Sequence, residues 1–320
     1  MAHQYSRKLV CIAHDGNHTD RVFNTGTYQE GQVMSQSKQI TIASGSSMFY
    51  LPLYVARDEG LFAAAGLDVQ FADGDLNSAP SPENVFDRLK EKQFEECQAD
   101  TFNICEWAGV DRVERGQRGG RVVGLRAAVA AQAIVTFDPA IQEPRDLAGV
   151  LVGVNNRAGS HYATAQLLEG AIPADQTFIE HAGAPQDRYE ALKSGKFKAV
   201  TLMEPYISLA LKEGAHIVNL TFYRGAEVVS DDLSVEQQRA YFGAIDKAVD
   251  IINADFDKYK HIITERVGNA LAPHELGTQF IRYVHTTPFT TDRFADTYES
   301  MKRWGLTSGN STYSQLASVF

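Results

Sequence analysis

Arg157, Gly159, Ser160 and His161 stand together in Asn155-Asn156-Arg157-Ala158-Gly159-Ser160-His161-Tyr162, between the apolar run 150–154 and the amphipathic stretch 163–169. That order reads as a strand running into a helix start. The first-turn N–H groups of a helix are unpaired and carry the positive end of its dipole, so the junction favours carboxylate, sulfonate or phosphate. Ser160 can cap or donate, Arg157 adds charge, and His161 can donate from either ring nitrogen. The plain alternative is a Ser160 that only caps the helix and a His161 that packs at the surface. Glu204, in Met203-Glu204-Pro205-Tyr206, also stands where a strand (198–202) ends and a helix (207–213) begins. It either accepts from a cationic ligand group or partners the helix dipole.

Two further strand ends carry candidates. Ile40-Thr41-Ile42-Ala43 alternates as a strand, Gly45-Ser46-Ser47 breaks it, a helix is expected over 51–59, and Leu67-Asp68-Val69-Gln70-Phe71 alternates again. Strand, helix and parallel strand make a right-handed crossover, which puts the loop 45–50 at the carboxyl end of the first strand, where open α/β sheets bind ligands. Ser46, Ser47, Met48, Phe49 and Tyr50 are therefore pocket candidates; an ordinary Ser-capped loop is the alternative. Trp107 follows the short strand 101–105 and either walls a pocket or simply packs.

Stepping outward along the chain, a helix is expected over 83–92, a polar helix through Arg115, and strands over 121–129 and 133–138. From Pro144 the pattern restarts with a short helix, the strand 150–154 and a second set of alternating elements, which suggests a second lobe. The strand 216–220 closes that lobe and 221–225 forms the return crossing. Beyond Ser234 the expectation is helical, over 235–254, 256–265, 272–284, 291–304 and 311–318. The expected division is 38–130 with 223–320 as a discontinuous lobe I and 131–222 as lobe II.

The chain has 320 residues, enough for two lobes, with 44% hydrophobic and 22% charged residues. No run approaches the ~18 apolar residues of a membrane span, so direct membrane insertion is not expected. A net charge of −10 with scattered Lys and Arg argues against a nucleic-acid partner. Cys11, Cys97 and Cys105 cannot all pair within one chain and are read as buried, reduced thiols. No metal-ligand spacing or nucleotide loop is present, Arg118-Gly119-Gly120 being too short, so neither metal nor cofactor is expected. Residues 1–37 differ from the rest and are expected to be disordered or to precede the true start, with Met34 an alternative to Met1. Leu9-Val10-Cys11-Ile12-Ala13 is too short for the core of a secretion signal. The expected location is the cytoplasm; the periplasm or extracellular space is the lesser alternative.

The order of pieces resembles the type 2 periplasmic-binding-protein superfamily, in the branch that groups sulfonate-, taurine- and nitrate-binding proteins with the pyrimidine-precursor proteins of thiamine metabolism. The resemblance covers about residues 39–316. It rests on Pro52-Leu53-Tyr54-Val55-Ala56-Arg57-Asp58-Glu59-Gly60-Leu61-Phe62 with Ala65-Gly66-Leu67-Asp68-Val69, on Gly159-Ser160-His161-Tyr162, on Arg188-Tyr189-Glu190-Ala191-Leu192-Lys193-Ser194-Gly195 with Met203-Glu204-Pro205-Tyr206, and on Arg303-Trp304-Gly305-Leu306. It implies a two-lobed α/β fold with a ligand cleft between the lobes, touched by Ser46, Ser47 and Met48, Trp107, Arg157 with Gly159, Ser160 and His161, and Glu204. The related sulfinate desulfinases use a Cys in the loop after the first strand, whereas this chain has Ser46 and Ser47 there.

The expected function is binding of a small anionic organic molecule, a sulfonate, carboxylate or pyrimidine-type compound, in the inter-lobe cleft. A transporter permease is a partner only if the chain is exported. The first alternative is a cytoplasmic enzyme on this fold, a decarboxylase, lyase or hydrolase acting on a small acid, with His161 and Glu204 as its proton-transfer groups. The second is a ligand sensor whose lobe closure controls another protein.

Overall fold

The computed structural model describes residues 39–75, 81–307 and 309–320. The expectations for residues 1–37, including Met34 and Cys11, lie outside these residues. The chain begins with β1 (Gln39–Ile42), α1 (Ser47–Asp58), α2 (Leu61–Ala64) and β2 (Asp68–Phe71). β1 and β2 pair in parallel, with Ile40 opposite Val69, so the crossover unit forms as expected. Its helix starts at Ser47 rather than at residue 51. Ser46 is the extended N-cap, its carbonyl accepts from the backbone N–H groups of Phe49 and Tyr50, and Met48 to Leu51 bury an apolar face. Pro52 lies inside this helix and cannot donate to the Met48 carbonyl; that oxygen instead accepts from the Tyr283 hydroxyl at 2.8 Å.

There follow α3 (Leu89–Glu95), β3 (Thr101–Cys105), α4 (Glu106–Arg115) and the long β4 (Gly120–Thr136). Next come β5 (Leu151–Val154), α5 (Gly159–Leu168), β6 (Phe178–His181), α6 (Pro185–Lys193), β7 (Ala199–Leu202) and α7 (Tyr206–Lys212). β8 (His216–Ser230), α8 (Val235–Ala254), α9 (Lys260–Thr264), β9 (Ile281–Tyr283), β10 (Thr287–Pro288), α10 (Thr291–Arg303) and α11 (Tyr313–Leu316) complete the chain. The strands form one mixed sheet in the order β2-β1-β3-β8-β4-β7-β5-β6, with β9 and β10 added to β4.

Three expectations are corrected. β4 is one strand rather than two, because its alanine-rich middle is buried and keeps pairing with β8. β8 likewise continues through the segment read as a return crossing. Residues 272–284 are not a helix: Pro273 starts only one 3-10 turn, Gly277 is extended, and Ile281–Tyr283 instead pairs with residues 128–130 of β4.

A large apolar core packs α1, α4, α8 and α10 against β1, β3 and parts of β4 and β8. Two smaller cores lie on the other half, one around Tyr189, Leu202 and Ile207 and one around Ile134, Val152 and Leu168. Among the described residues only β4 and β8 supply strand residues to both halves. The expected lobe boundaries fall inside these two strands, where Ala130 and Tyr223 are paired. Of the cysteines, Cys105 is a buried free thiol, whereas Cys97 is in a disulfide, contrary to expectation.

Candidate anion-binding site

A cavity of about 150 Å³ opens between the large core and the two smaller ones. Five helices begin at it. The N-cap residues of α1, α3, α4, α5 and α6, namely Ser46, Arg88, Cys105, Ala158 and Ala184, all line the cavity. Their positive dipole ends therefore face one volume.

Five basic side chains, Arg88, Lys90, Arg126, Arg188 and Arg266, line the same volume, with Glu91 as its lining carboxylate. Glu91 is already committed to Arg112, at 3.0 Å. Among the described residues none of the five cations has an ion-pair partner, although the buried Arg112 and Arg118 both do. This contrasts with the net charge of −10 for the whole chain.

Local structure explains how each is held. Arg126 lies in a bulge of β4: Leu125 pairs with Ala226 and Val129 with Arg224, so residues 126–128 face Gly225 alone. Extra residues of this kind re-aim a side chain out of the pleat. The Arg126 guanidinium stacks on Phe49, and its Nη2 is buried with no partner. Lys90, on α3, donates to the Asn103 carbonyl at 2.7 Å, and burial, with Arg126 nearby, brings its ammonium down to about 8. Arg188, on α6, donates through Nε to the Thr201 carbonyl at 2.7 Å and through Nη1 to that of Gly183 at 2.8 Å. Burial and the neighbouring Arg266 lower it to about 9. Arg88 bridges the two halves by donating to Pro82 and Asn156 carbonyls, at 2.8 and 2.7 Å. Arg266 donates to Ser46 Oγ at 3.5 Å, and its Nε is buried without a partner.

The residues singled out in the sequence separate into two groups. Ser46, Phe49, Gly159 and Ser160 line the cavity. Ser160 Oγ accepts from the Asn155 N–H at 2.8 Å, which ties the helix start to the end of β5. The others do not reach it. Ser47 faces a separate groove with Arg57 and Glu265, and Met48 is fully buried in the core. Trp107 stands behind the wall, stacked on Tyr162 and on the lining residue Tyr223 at centroid distances of 5.8 and 6.1 Å. Arg157 turns to Asp111, at 2.8 Å, and to the Leu306 carbonyl. His161 Nδ1 accepts from the Arg157 N–H, and burial followed by Arg157 lowers its pKa to about 4. Glu204 is buried and accepts from the hydroxyl and N–H of Ser208; burial pushes its carboxyl up to about 7.

The five cations were missed by sequence reasoning. Arg126 carried the best available signal, because it is a charge inside the apolar run 122–130, where an unpaired charge is costly. Among the described residues no group of His, Cys, Asp and Glu is placed to hold a metal, and no helix is long and apolar enough to cross a membrane.

Fold and cavity together define a two-lobed periplasmic-binding-protein-like architecture. Solved structures share it. The alkanesulfonate-binding protein SsuA from Xanthomonas axonopodis pv. citri, bound to MOPS, superposes with a TM-score of 0.70 at 12% identity, over 88% of this chain and 98% of that one. The Candida albicans CA3427 gene product, described as having the generic periplasmic binding protein fold, gives 0.64 at 11% identity, over 88% and 96%. The desulfurization enzyme DSZB gives 0.59 at 15% identity, over 84% and 92%. At these identities the likeness is one of fold. No protein-family model matches the chain, and no curated protein matches its sequence.

Proposed function

We propose that this chain binds a small anionic organic molecule, a sulfonate or carboxylate, in the cavity between its halves. One observation carries the reading: five basic side chains, four of them almost fully buried, face one cavity with no ion-pair partner among the described residues. Burying unpaired charge costs several kcal/mol per ion, and an anionic ligand offsets that cost. The converging helix N-termini favour the same charge. The sulfonate-binding SsuA has this fold, which supports the reading by analogy.

A thermal-shift and calorimetric screen of small sulfonates and carboxylates tests it. Stabilisation by anions, lost in Arg188→Gln but not in Lys198→Gln at the surface, is the expected result. Absence of any anion effect on the folded chain would sink the proposal.

A catalytic reading is favoured by one specific feature, the Cys105 thiol on the cavity wall. DSZB, an enzyme, also has this fold. Burial pushes the Cys105 thiol up to about 12, however, so it stands protonated and weakly nucleophilic. Ligands recovered unchanged after long incubation support binding; conversion to a product, lost in Cys105→Ser, supports catalysis.

A further inference from the structure

Two uncharged residues of the cavity wall, Gln132 and Tyr223, meet there, with Gln132 Nε2 donating to the Tyr223 hydroxyl at 3.4 Å. The sheet register brings them together. Tyr223 of β8 is paired with Ala130 of β4, and Gln132 lies two residues further along β4, on the same face. A Cβ on Gly159 would stand 3.0 Å from the Tyr223 hydroxyl, so the pair sits against the start of α5. Each member keeps an unused capacity. Gln132 is 1% exposed and its Oε1 is buried without a partner. The Tyr223 hydroxyl accepts from Gln132 and, among the described residues, donates to no acceptor. One acceptor and one donor therefore stand side by side at the cavity, and a buried polar atom left unmet is destabilising.

An anionic group does not meet both needs. A carboxylate or sulfonate only accepts, so it can take the Tyr223 proton but sets its own oxygen against Gln132 Oε1. An ammonium only donates, so it can serve Gln132 but not Tyr223. It would also stand among five basic side chains. The lining carboxylate, Glu91, is committed to Arg112, and the buried Glu227 lies off the wall with its carboxyl pushed up to about 8 by burial. A hydroxyl donates and accepts, so one atom completes the pair, and for the same reason it fits the amide turned either way.

We propose that the ligand is a hydroxy acid, with its anionic group among the cations of the cavity and its hydroxyl bridging Tyr223 and Gln132. The proposal rests on the anion-binding reading and narrows it to acids that carry a neutral hydroxyl. The span is short: the Arg126 guanidinium is 5.1 Å from the centroid of the Tyr223 ring, so the nearest cation and the hydroxyl pair flank one side chain. A cavity of about 150 Å³ is of the size that holds benzene, so the acid has about two to four carbons. Hydroxyalkanesulfonates and hydroxycarboxylates of that length have the required chemistry.

Calorimetric titration of the full chain with matched sets tests this. Each set holds a hydroxy, a plain and an amino acid of one length: 2-hydroxyethanesulfonate, ethanesulfonate and 2-aminoethanesulfonate; 3-hydroxypropanoate, propanoate and 3-aminopropanoate; 4-hydroxybutanoate, butanoate and 4-aminobutanoate. In at least one set the hydroxy acid should bind about tenfold tighter than the plain acid, the effect of two added hydrogen bonds, and tighter than the amino acid. Gln132→Leu and Tyr223→Phe should each bring the hydroxy-to-plain ratio towards one while the circular dichroism spectrum is retained. A plain or amino acid binding as tightly as its hydroxy match in every set would overturn the hydroxyl proposal and leave the anion site standing. Failure of every acid to bind the folded chain would overturn both readings. The comparison within the unaltered chain decides the matter even if a variant does not fold.

Discussion

The guanidinium of Arg126 lies 3.4 Å from the ring centroid of Phe49. The ring belongs to the first turn of α1 and the cation to the bulge of β4, so the contact joins the start of the chain's first helix to the centre of the sheet. It gives a buried cation an electrostatic partner that does not compete for its N–H donors. The buried Nη2 stays available to an anion. Phe49→Leu keeps an apolar side chain but removes the ring face. It should weaken anion binding by about 1–2 kcal/mol, a desolvated cation–π contact, and titration calorimetry reads this directly; unchanged affinity would show that the stacking does not orient Arg126.

Gly225 faces the same bulge from β8. A Cβ there would stand 2.4 Å from Arg126 Cζ and 2.4 Å from the Ile104 carbonyl oxygen. One of these neighbours is backbone, so the clash cannot be relieved by a rotamer change alone. Gly225→Ala should lower both anion affinity and the unfolding midpoint, whereas Gly243→Ala, where nothing lies within 4 Å, should leave both intact. Wild-type affinity in Gly225→Ala would mean that Arg126 has room to move without loss.

His161 and Glu204 give stability opposite pH dependences. His161 has a folded pKa lowered to about 4 from 6.5, so between those values the unfolded chain takes up a proton that the folded chain refuses. Its contribution is full above about 6.5 and is lost as pH falls through about 4. Glu204 has a folded value raised to about 7 from 4.5, so its contribution is full below about 4.5 and is lost as pH rises through about 7. Buried Glu227, raised to about 8, adds to the alkaline loss. Thermal unfolding from pH 5 to pH 9 should show that His161→Asn flattens the acid limb and Glu204→Gln the alkaline limb. Slopes identical to those of the unaltered chain would refute these assignments.

Asp111 is completely buried and holds Arg112, Arg115 and Arg157 at 2.5, 2.7 and 2.8 Å. These cations surround it so closely that its carboxyl is kept below the usual range despite burial. Asp111→Asn leaves buried positive charge unbalanced and should cost about 3–5 kcal/mol in urea denaturation. Arg157 then loses its ion pair across the two halves and keeps its bond to the Leu306 carbonyl. A loss under about 1 kcal/mol would show that solvent reaches the network and screens it.

The local grammar of the fold was readable because strands and helices announce themselves within a few residues. The crossover from β1 to β2, the restart at Pro144 and the helices at 235–254 and 291–303 all follow from nearby apolar spacing and Gly or Ser punctuation. Ser46 and Ser160 were legible for the same reason, since each begins a helix. Lys90, Arg126, Arg188 and Arg266 were not. They are distant in the chain, all but Arg126 look locally like surface charges, and only the sheet order brings them to one volume. Arg157, the cation that stood beside the helix start in sequence, is instead taken by Asp111, 46 residues away. The unbroken β4 and β8 were hidden by Gly, Gln and polar residues that would end an isolated strand, but pairing along both sides overrides them.

Because β4 leaves the larger half and β8 re-enters it at the paired residues Ala130 and Tyr223, residues 131–222 depart and return at a single point of the sheet. Topologically that stretch is an insertion into a hairpin. Its members in the larger core are Tyr162 and Met203, the second of which lines the cavity. A two-residue turn joining the paired strands would close the remaining chain without displacing either end, so Arg188 belongs to one piece of sequence and the other four cations of the site to the rest, separable by one cut and one join.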